Sequence, residues 1–126
     1  MNLQLSVLPG SYAICQLRPE EPLPYWADAD DFISITRTKD ELSIVCAEAG
    51  VPNHVKADRG WGCLKVEGPL DFTLTGVLAS LLSPLAEAGI SIFAVSTFDT
   101  DYLLVKTENL ERAAEVLIQS GHRINI

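Results

Sequence analysis

The 126 residues bound the fold to one compact domain or two small fused halves, and 48% hydrophobic against 21% charged residues rules out disorder throughout. Seventeen acidic residues against nine basic ones leave a net charge of −8, which sets the chain against phosphate backbones and anionic headgroups as partners. No window reaches the ~18 apolar residues of a membrane span, and MNLQLSVLPG lacks the basic start and long apolar run of a secretory signal, so a cytoplasmic protein with no membrane partner is expected.

The first forty-seven residues hold four runs rich in β-branched or aromatic residues, Leu3 to Leu8, Tyr12 to Leu17, Phe32 to Arg37 and Leu42 to Ala47, and these predict strands. Pro9-Gly10-Ser11 reads as a turn, and Thr38-Lys39-Asp40-Glu41 joins two of the runs closely enough for an antiparallel hairpin. Between them RPEEPLPYWADADD combines three prolines with Glu20, Glu21, Asp28, Asp30 and Asp31, which predicts a solvated loop with one short helical turn. It lacks the glycine and terminal glutamate of a calcium loop.

Val51 to Gly62 is polar and glycine-bearing and is read as the connection between two halves, 1–60 and 61–126. Cys63 to Val66 predicts a strand. Val77, Leu78, Leu81, Leu82 and Leu85 then recur at helical spacing, with Thr75 as the expected N-cap and Gly89 as the stop. Pro84 falls inside this helix and predicts a kink or break near Leu81. Ile90 to Thr97 and Tyr102 to Lys106 read as a second hairpin about Phe98-Asp99-Thr100-Asp101. The last helix can be capped by Asn109, carries Glu111 in its first turn, and shows Leu110, Ala113, Ala114, Leu117 and Ile118 on one face before Gly121 ends it. His122 to Ile126 supplies a final strand. The order strand, helix, strand, strand, helix, strand predicts an α+β, ferredoxin-like βαββαβ unit in the second half, while the first half shows strands without convincing helices.

Cys15, Cys46 and Cys63 are too widely spaced for a zinc site or disulfide framework and are read as reduced. Cys15 and Cys46 lie in apolar runs; Cys63, after Trp61 and Gly62, is expected to be more exposed. Nucleophile elbow, phosphate loop and metal-spaced histidines are all missing, so no catalytic residue, metal or cofactor is assigned. Polar groups converge instead at two places. Leu74-Thr75-Gly76-Val77 opens a helix whose unpaired N–H groups favour a carboxylate. Ser96, Thr97 and Thr100 bring hydroxyls, Phe98 an aromatic wall, and Asp99 and Asp101 carboxylates able to hold an ammonium or guanidinium.

GPLDFTLTGVLASLLSPLAEAGISIFAVSTFDTDYLLVKTENLERAAEVLIQSGH resembles the ACT domain, a small amino-acid-binding regulatory module, above all in AGISIFAVSTFDTDYLLVK, where a helix end, a strand and the S-T-F-x-x-D turn stand in register. The resemblance is strongest to the subgroup found in cytosolic arginine sensors and small stand-alone bacterial proteins, with aspartate kinase regulatory domains further off. It implies an ACT domain at 61–126, packed beside a degenerate, strand-rich ACT-like half at 1–60. It also implies a free amino acid held between ACT units by Leu74, Thr75, Gly76, Val77, Thr97, Phe98 and Asp101, and a homodimer that supplies the interfaces. Asp99 is the candidate for a basic side chain. Two alternatives stay open: a ligand-free dimerisation or docking protein serving an enzyme or regulator, and an enzyme using Cys63 or the Asp99 and Asp101 pair.

Overall fold

A computed structural model describes residues 1–28, 32–71 and 74–125. Two compact units emerge: Gly10–Trp61, and a larger one that joins Met1–Pro9 to the chain from Gly62 onward. Residues 1–9, grouped with the first half on sequence, therefore keep company with the second. The strand β1 (Gln4–Val7) explains this, because a strand's alternation shows which side chains are buried but not which neighbour its backbone will choose.

In the smaller unit β2 (Tyr12–Leu17), β3 (Ser34–Arg37), β4 (Leu42–Ala47) and the start of β5 (Ala57–Val66) form an antiparallel ladder in the order β3-β4-β2-β5. The predicted hairpin closes as β3–β4, and the Thr38 hydroxyl accepts the N–H groups of Asp40 and Glu41 at 3.1 and 3.2 Å. The acidic loop contains a single 3-10 turn, Tyr25–Asp28, whose Ala27 joins the buried cluster of Ala13, Cys15, Leu42, Ile44, Cys46 and Val51. Asp30 and Asp31 lie outside the described residues.

The expected connection at 51–62 is half strand. Its glycines disguise the pattern: Tyr12 faces Trp61 and Ile14 faces Asp58, so Ala13 opposes both Arg59 and Gly60 in a bulge that Gly60 accommodates at φ +78°. The ladder continues past it, and Trp61, Cys63, Leu64 and Val66 are all buried.

The larger unit has the mixed sheet and two helices of an α+β fold. β6 (Phe93–Ser96) and β7 (Asp101–Lys106) make the second hairpin, and β7 pairs with β5. β1 runs antiparallel to β5, with Leu5 opposite Val66, and parallel to β8 (Arg123–Asn125). The order is thus β8-β1-β5-β7-β6. The helices α1 (Val77–Glu87) and α2 (Leu110–Gln119) bury Leu81, Leu85, Ala113 and Leu117 against Leu5, Leu64, Val66, Leu103 and Val105. These are the apolar series read from the sequence.

Three local expectations are corrected. α1 is capped by Gly76, at φ +77°, and not by a Thr75 side chain, because the chain enters the helix through a left-handed turn that a β-branched residue resists. α1 also continues through Pro84, so of the kink or break expected near Leu81 the break does not occur. The carbonyl that proline leaves without its usual donor finds another, described below. The strand expected from Ile90 starts only at Phe93; Ile90 follows α1 and fills the core.

Candidate functional site

The start of α1 and the β6–β7 hairpin enclose a pocket of about 230 Å³ in the larger unit. Leu70, Asp71, Leu74 and Val77 line one side, and Ser96, Thr97, Phe98, Asp99, Thr100 and Asp101 the other. Eight of the residues singled out on sequence, Leu74, Val77, Ser96, Thr97, Phe98, Asp99, Thr100 and Asp101, therefore meet here. Thr75 and Gly76 do not line it; both are exposed and shape the backbone turn that starts the helix.

The hairpin is held from within and from behind. Thr97 donates its N–H to the Thr100 carbonyl at 2.8 Å, and its hydroxyl spans the same turn. Ser96 donates to Asp101 Oδ1 at 2.5 Å, which sets that carboxylate beside the pocket and leaves its second oxygen for another donor. Thr100 is 5% exposed and donates to the Val66 carbonyl at 2.6 Å. The Leu70 N–H donates to the Asp99 carbonyl at 2.7 Å. Gly68 allows this approach, because a Cβ there would stand 3.0 Å from the Asp99 carbonyl oxygen.

Three carboxylates, Asp71, Asp99 and Asp101, line the pocket, and among the described residues no lysine, arginine or histidine does. Asp99 and Asp101 on the hairpin attract a cationic group, while Val77 brings the first turn of α1, whose N–H groups favour an anionic one, to the pocket on the side that Asp71 shares. The rim is apolar and open: Phe98 is 80% and Leu74 48% exposed. Leu70 and Asp71 carried no sequence signal beyond following a turn-rich segment. Thr100 was visible as a hairpin hydroxyl, but its role as a buried brace depends on Val66, thirty-four residues away.

The other nucleophile considered, Cys63, is fully buried, contrary to expectation, because β5 continues through it. Burial pushes its thiol up to about 12, so it supplies no thiolate near neutral pH. A roomier hollow of about 590 Å³ lies in the smaller unit, lined among others by Arg18 and Glu21, which pair with each other, and by Asp40, His54 and Lys56. Among the described residues no group of three or more His, Cys, Asp or Glu is arranged to hold a metal, and no helix is long and apolar enough to cross a membrane.

Comparison with known proteins places these features. The sequence profile of the ACT domain matches residues 56–119, and a second profile, of an N-terminal domain, matches residues 10–54. The human cytosolic arginine sensor for mTORC1 subunit 1 is 38% identical over 58 residues, covering 45% of this chain and 18% of the sensor. The chain spans between 18% and 56% of the length of the curated relatives it matches. A crystal structure of an Agrobacterium tumefaciens protein is 48% identical, with a TM-score of 0.93 over 98% of this chain and 92% of that one. The ligand-free regulatory subunit of aspartate kinase from Thermus thermophilus shares the fold at 12% identity, with a TM-score of 0.64 over 92% of this chain and 96% of that one.

Proposed function

The chain belongs to the ACT domain family, and we propose that it is a non-enzymatic regulatory module that binds a free amino acid in the pocket between α1 and the β6–β7 hairpin. The observation that carries this reading is the opposition of an acidic wall, Asp99 and Asp101, to a helix N-terminus. The α-carboxylate lies at the first turn of α1 beside Val77, and the α-ammonium meets the Asp101 oxygen that Ser96 leaves available. Asp99 is placed for a basic side chain. The name of one relative, a cytosolic arginine sensor, supports an amino acid as the ligand class.

The ligand is completed by a second ACT unit from another copy, in a cytoplasmic homodimer. Phe98 and Leu74 favour this, since an exposed aromatic and an exposed leucine flank the same opening. The same rim favours the second reading, a docking protein that closes the pocket on a protein partner and needs no ligand.

A thermal-shift screen against the twenty amino acids at millimolar concentration tests the proposal. A ligand at a hundredfold its dissociation constant stabilises the fold by ~2.7 kcal/mol and raises the midpoint by several degrees. Asp101→Ala then weakens calorimetric binding by about 1 kcal/mol or more. Silence from all twenty amino acids favours the docking protein.

A further inference from the structure

Two thiols in the smaller unit have no part in that reading. Cys15 on β2 and Cys46 on β4 are each 1% exposed. The ladder pairs Ala13 with Cys46 and Cys15 with Ile44, so strand alternation turns all four side chains to one face and sets the two sulfurs diagonally across neighbouring strands. Both belong to one buried cluster, and on β2 the side chain directly opposite Cys46 is the methyl group of Ala13. The neighbouring Cys46 thiol holds Cys15 below the usual thiol range, with help from the Arg59 guanidinium and against its own burial, and Cys15 in turn pushes Cys46 up. Arg59 is fixed in turn by donating to the carbonyls of Val51 and Pro52 at 3.4 and 2.9 Å. One thiol is therefore disposed to ionise and its neighbour to keep its proton.

We propose that Cys15 and Cys46 are a peroxide-responsive pair that closes to an intramolecular disulfide between β2 and β4. The Cys15 thiolate attacks one oxygen of hydrogen peroxide; the O–O bond breaks, a sulfenic acid forms, and the departing hydroxide takes up the proton Cys15 lost, leaving as water. The Cys46 sulfur then attacks the Cys15 sulfur. The S–S bond forms, the S–OH bond breaks, and hydroxide leaves as water with the Cys46 proton. Two thiols lose two electrons, and one peroxide becomes two waters. Trp26 and Ile33 pack against the cluster, so the oxidant enters on local opening of the unit and the rate follows that opening. Cys63 belongs to the other unit and serves as an internal control.

Full-length protein treated with hydrogen peroxide, alkylated and digested with trypsin without reduction tests the pairing. Because Arg18 precedes Pro19, the two cysteines fall in separate peptides, residues 1–37 and 40–56, while Cys63 falls in 60–65. The expected product is a single linked pair of the first two peptides, lighter by two hydrogens, released by reductant, with Cys63 unmodified. In Cys46→Ser the reaction stops at a Cys15 sulfenic acid that dimedone traps. The peptide map of the unaltered protein needs no variant to fold and decides alone. A link through Cys63, a link between two chains, over-oxidised cysteines without a link, or thiols unchanged by peroxide overturns the proposal.

Discussion

His122 makes the hydrogen bond that Pro84 cannot. In an uninterrupted helix the Ser80 carbonyl would accept the N–H of residue 84, but proline has none. His122 Nε2 lies 3.1 Å from that carbonyl, and His122 Nδ1 accepts the Leu3 N–H at 3.0 Å. An accepting Nδ1 fixes the neutral ring with its proton on Nε2, so the ring donates to α1 and accepts from the chain entering β1. It is 4% exposed and fully used. This is why α1 runs through its proline unbroken.

His122→Ala leaves two groups, the Leu3 N–H and the Ser80 carbonyl, without partners in a buried place, and is expected to cost about 2–4 kcal/mol in urea unfolding. The informative measurement is a double-mutant cycle. Pro84→Ala restores an N–H to position 84 that can satisfy Ser80, so His122→Ala should cost about 1 kcal/mol less in that background. Strictly additive effects would remove Pro84 from this account.

Thr100 ties the pocket hairpin to β5 through the Val66 carbonyl. Thr100→Val keeps the shape and deletes the donor, so stability should fall by about 1–2 kcal/mol. The hairpin loses its fixed position against Leu70 at the same time. Amino-acid affinity should therefore fall more in Thr100→Val than in an exposed control such as Glu115→Gln, measured by calorimetry at a temperature where both variants are folded.

The sequence revealed the parts of this molecule whose signals are local. The α2 series from Leu110 to Ile118, the Thr38–Glu41 hairpin and the cluster of Ser96, Thr97, Phe98, Asp99 and Asp101 all depend on neighbours within a few positions, and the structure has them in those places. What it hid depends on distant partners. Leu5 reads as a strand residue, but nothing near it shows that its strand will sit between β5 and β8, some sixty and one hundred and twenty residues on. Pro84 reads as a helix breaker because its remedy, His122, lies thirty-eight residues away. Gly60 and Gly62 read as a linker because glycine marks turns and bulges alike, and only the register against Tyr12 and Ile14 separates the two.

Gly76 isolates a backbone effect. A Cβ placed there meets nothing within 4 Å, so Gly76→Ala adds no clash and its cost comes from holding a residue with a side chain at φ +77°. That cost is about 1–2 kcal/mol. Asn tolerates this conformation better, so Gly76→Asn should recover part of the loss in thermal unfolding. Equal losses for the two would mean that the turn relaxes to a different conformation.

Cys63 contributes, beside Cys46, to the alkaline limb of the stability profile. Its thiol ionises near 9.0 when exposed and near 12 in the fold, where burial disfavours the thiolate. Between those values the unfolded chain has released a proton that the folded chain still holds. The unfolded state therefore binds fewer protons, and stability falls as pH rises, by up to about 1.4 kcal/mol per pH unit from this group. Below pH 9 the contribution is flat. Cys63→Ala loses some packing at every pH but removes this slope, so its unfolding free energy should converge on that of the unaltered protein between pH 9 and 11. Parallel curves across that range would show that Cys63 makes no contribution to the alkaline limb.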